Sequence, residues 1–502
     1  MMRPRPAPRR VPRYALAATA VVALLAGAAV PSAATTAAPD EPASTTSAPT
    51  TDEASATTEA PTGPVAVRPR VAAPVSPVAP VSAAPVPDRG ALSMQISDEL
   101  DSTWLGGTNR RAVAIRDALT GESLADRHSS RLVTPASTTK LLSAAAIVTG
   151  LEGDHTFTTR VVAGAEPDEV IIVAGGDMLL ADGAGDPEAV AGHAGIGDLA
   201  AQTADALEEG GGPEGTVRVR LDLSYVAGPD AMPTWSDHWI REGWSGRIVQ
   251  LGRSGDRALP FNPSPTSPEQ EVARVFREAL AEEGIEVVGA GDEGAEAQEV
   301  EAPEDAAELA SVESAAARDV LALALATSDN AMVEQLARQA AVADGGSAEQ
   351  EDVTAWIRQT VSEDYGLDMD GVQIVDASGL SDGTQIPVGV VADVLVAGAD
   401  GSHPALQKVL AAGGLPIAGY TGTLATRFHL DRHDPAVGVA RAKTGTLPGV
   451  SSLAGTVVTR DGRLLVYALT ADDLDEGSAA IEAASVLDEV VAELARCGCQ
   501  PE

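Results

Sequence analysis

Three short polar motifs, far apart in the sequence, constrain what this chain can fold into more than any other feature. They are Ser137-Thr138-Thr139-Lys140, Ser328-Asp329-Asn330 and Lys443-Thr444-Gly445-Thr446. Each motif is common by itself, so a function follows only if all three lie in the structural context that their chemistry needs. We therefore expect a fold in which long-range contacts bring the three motifs around one cavity.

The first motif pairs a nucleophile with a base. Pro135 precedes a predicted helix over 136–148, which places Ser137 and Lys140 one turn apart on the same face. A serine hydroxyl is a poor nucleophile until a neighbour removes its proton. Lysine can do this only when burial and nearby positive charge lower its pKa enough to leave the amine neutral. The spacing thus predicts Ser137 as the nucleophile and Lys140 as its base.

The other two motifs supply groups that could hold a peptide. Ser328 and Asn330 fall in a tight connection between two predicted helices, where a hydroxyl and an amide can point into a cleft. Lys443 lies in a predicted edge strand, whose backbone could pair with an extended peptide. We expect the Lys443 ammonium to lie near Ser328 and near the terminal carboxylate of such a peptide.

Lysine usage supports this interpretation. The chain contains only three lysines, Lys140, Lys408 and Lys443, and its other 31 basic side chains are arginines. Two of the three lysines lie in the motifs. Lysine has therefore been kept at these positions although the chain otherwise uses arginine. Arginine does not lose its proton in proteins and could not act as the base at position 140, and its forked head differs in shape from an ammonium. Lys408 has no motif around it and is expected to be an exposed helix residue.

Charge and aromatic content exclude several classes of function. The 34 basic and 73 acidic side chains give a formal net charge of −39, which repels phosphate backbones and anionic lipid over most of the surface. Aromatic residues make up only 3% of the chain, which argues against stacking platforms for bases. We therefore expect no nucleic-acid partner, and we expect the acidic surface to serve solubility.

The N-terminus carries an export signal. Five arginines precede an apolar run over 14–30, and the small residues Ser32 and Ala34 suit cleavage before Thr35. The run is also at the lower length limit for a membrane span, so a cleaved signal and an uncleaved anchor both remain open. In either case we expect an extracytoplasmic protein, secreted or associated with the cell wall or membrane.

Apolar and alternating runs predict several elements. They are a hairpin of strands over 111–117 and 123–127, a strand over 169–173, helices over 269–283 and 388–397, and a β-meander with strands over 437–445, 452–459 and 463–469.

Composition and predicted elements also divide the chain into segments. The predicted segments are a signal peptide or membrane anchor over 1–34, a disordered Pro/Thr/Ala-rich linker over 35–90, the first part of a catalytic domain over 91–154, an inserted mainly β module over 155–305, the second part of the catalytic domain over 306–496 and a tail over 497–502. The tail holds both cysteines, Cys497 and Cys499. A small strained disulfide loop and two inert thiols are both open, and thiols are the more ordinary expectation.

With these motifs and elements, the sequence resembles the class C low-molecular-mass penicillin-binding proteins, the D-alanyl-D-alanine carboxypeptidase/endopeptidase family. The resemblance covers about residues 103–470 and includes further segments. These are Thr156-Phe157-Thr158-Thr159-Arg160, Gly175-Gly176-Asp177, Asp376-Ala377-Ser378-Gly379-Leu380-Ser381 and Gly419-Tyr420-Thr421-Gly422-Thr423-Leu424. It implies an α+β fold of the penicillin-binding/serine β-lactamase-like transpeptidase type, an antiparallel sheet flanked by helices, with a mainly β domain inserted between the first two motifs.

The resemblance also implies a reaction on peptidoglycan stem peptides. Ser137 would attack the carbonyl of a D-Ala-D-Xaa peptide, with Lys140 accepting its proton and Ser328 relaying a proton to the departing amine. The backbone N–H groups of Ser137 and Thr446 would hold the oxyanion. Substrate binding would fall to Asn330, Lys443, Thr444, Gly445 and Thr446. The resemblance implies no cofactor or metal, and β-lactams, which mimic the substrate but leave no departing fragment, would be covalent inhibitors.

Other interpretations compete with this one. A serine β-lactamase uses the same motifs, but the class A deacylation signature is absent after the second motif. A non-catalytic β-lactam or cell-wall sensor is disfavoured by the intact Ser137 and Lys140. The run over 379–383 matches the nucleophile elbow of α/β-hydrolases, but no helix is predicted directly after its serine. His429 and His433 have the spacing of a zinc pair without the Glu that would follow the first, so a solvated loop is expected.

Overall fold

The computed structural model describes residues 84–213, 215–475 and 479–498. The predicted export signal over 1–34 and nearly all of the predicted linker lie outside the described residues, as does Cys499. No helix in the described ranges is both long and apolar enough to cross a membrane. Cys497 is buried and disulfide-bonded, so the expectation of an inert thiol is wrong at this residue.

Groups of strands and groups of helices follow one another along the chain. The strands are β1 Arg111–Asp117, β2 Ser123–Arg127, β3 Leu132–Val133, β4 Thr158–Ala163, β5 Glu169–Val173, β6 Arg218–Asp222, β7 Gln298–Glu299, β8 Glu308–Glu313, β9 Ile386–Pro387, β10 Ala440–Leu447, β11 Val450–Val458 and β12 Leu464–Ala471. The α-helices are α1 Arg89–Gln95, α2 Ser97–Leu100, α3 Lys140–Gly150, α4 Ile196–Glu209, α5 Asp237–Arg241, α6 Pro268–Glu282, α7 Ala317–Thr327, α8 Asn330–Ala343, α9 Gln350–Asp364, α10 Val388–Ala397, α11 Pro404–Val409 and α12 Ala479–Arg496.

The central sheet has the strand order β10-β11-β12-β1-β2, and each neighbouring pair is antiparallel. β1 and β2 form the hairpin that the sequence predicts, and β10 to β12 form the predicted meander. The two pieces join through β1 and β12, where Arg111 lies opposite Ala471 and Asp117 opposite Leu465. This order leaves β10, which carries Lys443, at the edge of the sheet.

Alternating side chains along β1 divide the core into two layers. Val113 and Ile115 pack in the cluster that includes the apolar face of α12. Ala112 and Ala114 pack in the cluster that includes residues of α3, α7, α8 and α10. Because successive side chains of a strand point to opposite faces, the sheet is covered by α12 on one side and by a helical layer on the other.

A second sheet has the order β7-β6-β5-β4-β8. β5, β6 and β7 run parallel, while β4 is antiparallel to both β5 and β8. Ile172 of this sheet shares a separate core with Leu199 of α4 and Phe276 of α6. The sequence predicts α6 in this region, and the structure adds α4. β8 belongs to this sheet, so the sheet extends beyond residue 305, the boundary that the sequence predicts for the inserted module.

We predict that Arg463→Met lowers the free energy of unfolding by about 3–5 kcal/mol. Asp117 at the end of β1 is fully buried, and Arg463 donates two hydrogen bonds to its carboxylate. Methionine would leave the Asp117 carboxylate buried without its cation, held only by hydrogen bonds from Leu119 and Thr120. Urea unfolding followed by circular dichroism measures the loss.

Arg89→Met is the control for this prediction. The Arg89–Glu122 ion pair has side chains that are 60% and 47% exposed. Exposed pairs contribute at most about 1 kcal/mol, so little change is expected. An equal decrease in the free energy of unfolding in the two variants would contradict the prediction.

Candidate active site

Ser137 and Lys140 lie where a tight turn passes into α3. Ala136–Thr139 forms a 3₁₀ turn, so the α-helix itself begins at Lys140 rather than at Ala136. Ala136 has a φ of 50°, an uncommon conformation for a residue with a side chain. Ser137 is half-buried and Lys140 is fully buried. Lys140 Nζ donates a hydrogen bond to Ser137 Oγ at 3.0 Å.

The Lys140 ammonium has three acceptors. Besides the Ser137 hydroxyl, it donates to Asn330 Oδ1 at 2.5 Å and to the carbonyl of Ser378 at 2.8 Å. Burial lowers the pKa of Lys140 to about 8, against the opposing effect of nearby carboxylates. About a tenth of this amine is therefore neutral at pH 7, and the neutral form is the one that can accept a proton from serine.

The second motif is a turn fixed by residues of the preceding module. Ser328 ends α7 with a left-handed φ of 59°, and Asn330 begins α8. The Asp329 side chain caps α8 and forms a two-bond ion pair with Arg257, at 2.5 and 3.0 Å. Asn330 Nδ2 donates to the carbonyl of Trp244 at 2.8 Å. Both outer contacts come from the segment between the first two motifs.

Lys443 reaches from edge strand β10 to the second motif. Its Nζ, which is fully buried, donates to Ser328 Oγ at 2.8 Å. Burial and the charge of the other motif lysine lower the pKa of Lys443 well below its ordinary value. Thr444 Oγ1 donates to Thr423 Oγ1 at 3.0 Å, and Thr446 is exposed. β10 thus carries a buried amine next to the hydroxyls of Thr444 and Thr446.

Gly445 lets β10 approach the backbone of Ser137. A Cβ at this position would lie 2.1 Å from Ser452 Oγ, 2.7 Å from the carbonyl oxygen of Pro135 and 3.1 Å from the N of Ser137. Only a residue without a side chain fits. This approach sets the third motif beside the first, and the two lysine hydrogen bonds join the second motif to both. The structure brings all the sequence-predicted site residues together.

The supporting contacts of the motifs were not predicted. Trp244 and Arg257 lie 86 and 72 residues before their partners in the second motif, with no local pattern around them. The segment 376–381 carries the family resemblance, but nothing in the sequence assigns its Ser378 carbonyl to the lysine of the first motif. Glu334 is an acidic residue among the buried positions of α8. Because buried acidic residues are rare, this position could have indicated a role for Glu334 in the site.

The structure also shows the residues of the two alternative sites, the nucleophile elbow and the zinc pair. Ser381 is buried with its N–H on the Asp376 carboxylate, and no helix follows it directly, unlike the serine of a nucleophile elbow. No group of three or more metal-ligating side chains occurs in the described part of the chain. His433 is buried within the 3₁₀ turn Asp431–Ala436, so the expected solvated loop is wrong at this residue.

An antiparallel sheet between two helical layers, with a serine and two buried lysines at its edge, defines the penicillin-binding class of serine acyl-transferring enzymes. The sequence profile of the D-Ala-D-Ala carboxypeptidase 3 (S13) family matches residues 92–251 and 257–494. The chain belongs to this family and is a serine peptidase, as the resemblance predicts.

Individual relatives agree with this assignment. The chain is similar to carboxypeptidase DacB of Mycolicibacterium smegmatis, at 31% identity over 83% of this chain and 86% of that protein. It is also similar to a D-alanyl-D-alanine carboxypeptidase of Actinomadura sp., at 29% identity over 70% of this chain and 76% of that protein. The crystal structure of penicillin binding protein 4 from Haemophilus influenzae covers 78% of this chain and 98% of its own, with a TM-score of 0.60 and 17% identity. The α+β penicillin-binding fold that the sequence predicts is confirmed.

We predict that Gly445→Ala slows covalent labelling by fluorescent penicillin by about 100-fold, because a shift of about 1 Å between reacting groups has an effect of that size. The added methyl group would push β10 away from Ser137. The labelling rate is measured on protein whose folding is checked by circular dichroism. Gly183→Ala is the control, since an added Cβ there meets no atom within 4 Å. Labelling at the wild-type rate in Gly445→Ala would contradict the prediction.

Proposed function

We propose that this protein hydrolyses D-Ala-D-Ala and related D-Ala-D-Xaa bonds of peptidoglycan stem peptides through an acyl-enzyme on Ser137. The observation that carries the proposal is a buried lysine amine 3.0 Å from a reachable serine hydroxyl. Membership of the S13 family supports the substrate class. Carboxypeptidase and endopeptidase reactions share this acyl chemistry and differ in the amine that departs.

Acylation begins when the neutral Lys140 amine accepts the proton of the Ser137 hydroxyl. The serine oxygen then attacks the carbonyl carbon of the scissile D-Ala peptide bond. The backbone N–H groups of Ser137 and Thr446 stabilise the negative charge that develops on the carbonyl oxygen. The close approach of β10 at Gly445 supports this pairing, because it brings the two backbones together.

The departing amine needs a proton, and Ser328 is placed to relay one. Ser328 Oγ accepts a hydrogen bond from Lys443 Nζ, which leaves its own proton for transfer. Asn330 Nδ2 uses one N–H on the Trp244 carbonyl, so its second N–H can hold the acyl-side amide. Water then attacks the acyl group on Ser137 and releases the shortened peptide.

The edge of β10 supports binding of the leaving-group side. Past Ala442, whose N–H donates to the carbonyl of Pro416, the outer edge of β10 can pair with an extended peptide. Lys443, Thr444 and Thr446 offer an amine and two hydroxyls to a terminal carboxylate. Burial lowers the pKa of Lys443, and a carboxylate bound beside it would favour the protonated, positively charged form of its amine. A β-lactam carries a carboxylate of the same kind, so we expect it to bind there.

We infer an extracytoplasmic site of action at the cell wall, because the peptidoglycan substrate lies there. Five arginines ahead of the apolar run over 14–30 are typical of an export signal and support this inference. If the run is retained, it is the only part that we expect to associate with a membrane.

Benzylpenicillin is expected to add once to the wild-type protein and not to Ser137→Ala. No fragment departs from an opened β-lactam, so the adduct should be long-lived. Intact-mass spectrometry measures the adduct, and release of D-Ala from a D-Ala-D-Ala peptide is measured in parallel. Ser381→Ala is the control and should still be labelled.

These measurements also separate the competing functions. An adduct on Ser137→Ala would contradict the assignment of the nucleophile. Labelling of the wild type without D-Ala release would favour a sensor. Rapid hydrolysis of benzylpenicillin would favour a β-lactamase.

We predict that Lys140→Arg lowers the rate of acylation by about 10²–10⁴-fold, the range that a general base contributes. A guanidinium keeps its proton at every accessible pH and cannot accept another. In the wild type, the rate should rise as pH rises through about 8, because the neutral fraction of Lys140 increases. Lys408→Arg is the matched control, since Lys408 is exposed on α11 and should leave both rate and pH profile unchanged. A Lys140→Arg enzyme with most of its activity would exclude lysine as the base.

A further inference from the structure

Glu334 is a buried carboxylate with no part in the steps above. It lies four residues after Asn330 on α8 and is 1% exposed. Residues at i and i+4 of a helix lie on the same face, so Glu334 and Asn330 point to the same region. A fully buried glutamate is rare unless its charge is matched, and this one lies directly behind the first motif.

Both carboxylate oxygens of Glu334 accept backbone hydrogen bonds. Ala377 N donates to Oε2 at 3.1 Å, and Ser378 N donates to Oε1 at 2.8 Å. An ionised carboxylate only accepts, so two N–H donors suit the charged form. The side chain therefore fixes the peptide between 377 and 378 against α8.

The fixed peptide leads directly to Lys140. The carbonyl of Ser378 accepts a hydrogen bond from Lys140 Nζ at 2.8 Å. On the other side of the segment, Ser143 of α3 donates to the carbonyl of Ala377 at 2.6 Å. The segment is thus held between α8 and α3 by contacts on both sides, with the Ser378 carbonyl aimed at the lysine.

We propose that Glu334 is a positioning residue for acylation: it holds the Ser378 carbonyl on Lys140, and its negative charge favours the protonated form of that lysine. The proposal rests on the proposed function, in which Lys140 is the base. Glu334 touches neither the substrate nor the nucleophile and acts through Ser378.

The charges around this pair come from several elements. The charged groups that face Lys140 are Asp376, Glu334, Asp329 and Lys443. Arg338, buried one turn further along α8, also faces Glu334. Burial, and then the neighbouring Asp376, raise the pKa of Glu334 to about 8, while the N–H bonds from Ala377 and Ser378 oppose that shift. The negative charge of Glu334 therefore develops over the same pH range in which Lys140 loses its proton. The pH profile of acylation is therefore expected to report both groups.

The test is the pH dependence of penicillin labelling in Glu334→Gln. Glutamine keeps the size but not the charge, and only its carbonyl oxygen can accept, so one of the two N–H bonds is lost. Without the negative charge, the neutral form of Lys140 is favoured. We expect the midpoint of the pH profile to fall by about one pH unit, a tenfold change in the protonation equilibrium, and the plateau rate to fall about tenfold.

Two further variants separate position from charge and from general destabilisation. Glu334→Asp keeps the charge but shortens the reach, so the plateau rate should fall while the midpoint stays near that of the wild type. Asp222→Asn neutralises another buried carboxylate, which accepts N–H bonds from Ser224 and Ala302 in the second sheet. This variant should change neither the plateau rate of labelling nor the midpoint of its pH profile.

The outcomes are distinct. A Glu334→Gln enzyme whose rate falls by the same factor at every pH, with the wild-type midpoint, would show a merely structural role and overturn the proposal. If thermal unfolding shows that Glu334→Gln does not fold, Glu334→Asp decides, and a wild-type plateau rate in that variant would overturn the proposal. Failure of the wild type to be labelled at Ser137 would instead overturn the proposed function, leaving the hydrogen-bond geometry around Glu334 as it is.

Discussion

A lysine ammonium without solvent contact needs three hydrogen-bond acceptors, and Lys140 finds them on three separate parts of the chain. Ser137 comes from the turn before α3, Asn330 from the start of α8, and the Ser378 carbonyl from a loop much later in the sequence. Loss of any one contact would leave a buried donor unsatisfied, at a cost of about 1–3 kcal/mol. The hydrogen bonds of this one side chain thus join the separate parts of the chain that form the site. The same burial lowers the pKa of Lys140, so that its amine can act as a base.

The module between the first two motifs takes part in this assembly. Arg257 pairs with Asp329, and the Trp244 carbonyl accepts from Asn330, so two polar contacts from the module hold the turn of the second motif. Ser328, whose left-handed backbone is uncommon for a residue with a side chain, lies beside these contacts. We conclude that the segment between the first two motifs fixes the orientation of groups that face the cleft. Part of this segment, including Trp235 and Ile248, packs in the same core as α3 and α8.

Much of the fold follows from the sequence, for identifiable reasons. The bounds of β1, β5 and α10 agree with those predicted, because each is a strongly apolar run between turn residues. Helix α4 was missed, since glycines and acidic residues around 195–198 hide its apolar period. The motif residues were predicted from local patterns. Their supporting contacts, such as Glu334 with the 377–378 peptide, join residues more than 40 positions apart and follow no local pattern.

The pairing of β1 with β12 has a consequence for how the chain reaches this state. Arg111 and Ala471, which lie opposite each other, are 360 residues apart. The N-terminal hairpin therefore has no partner on its open side until residues 464–471 have been synthesised. Contacts of such long sequence separation close slowly, since the entropy of a large loop is lost before the contact forms. The central sheet is thus expected to stay incomplete during translation until β12 has been made, long after the hairpin itself can form.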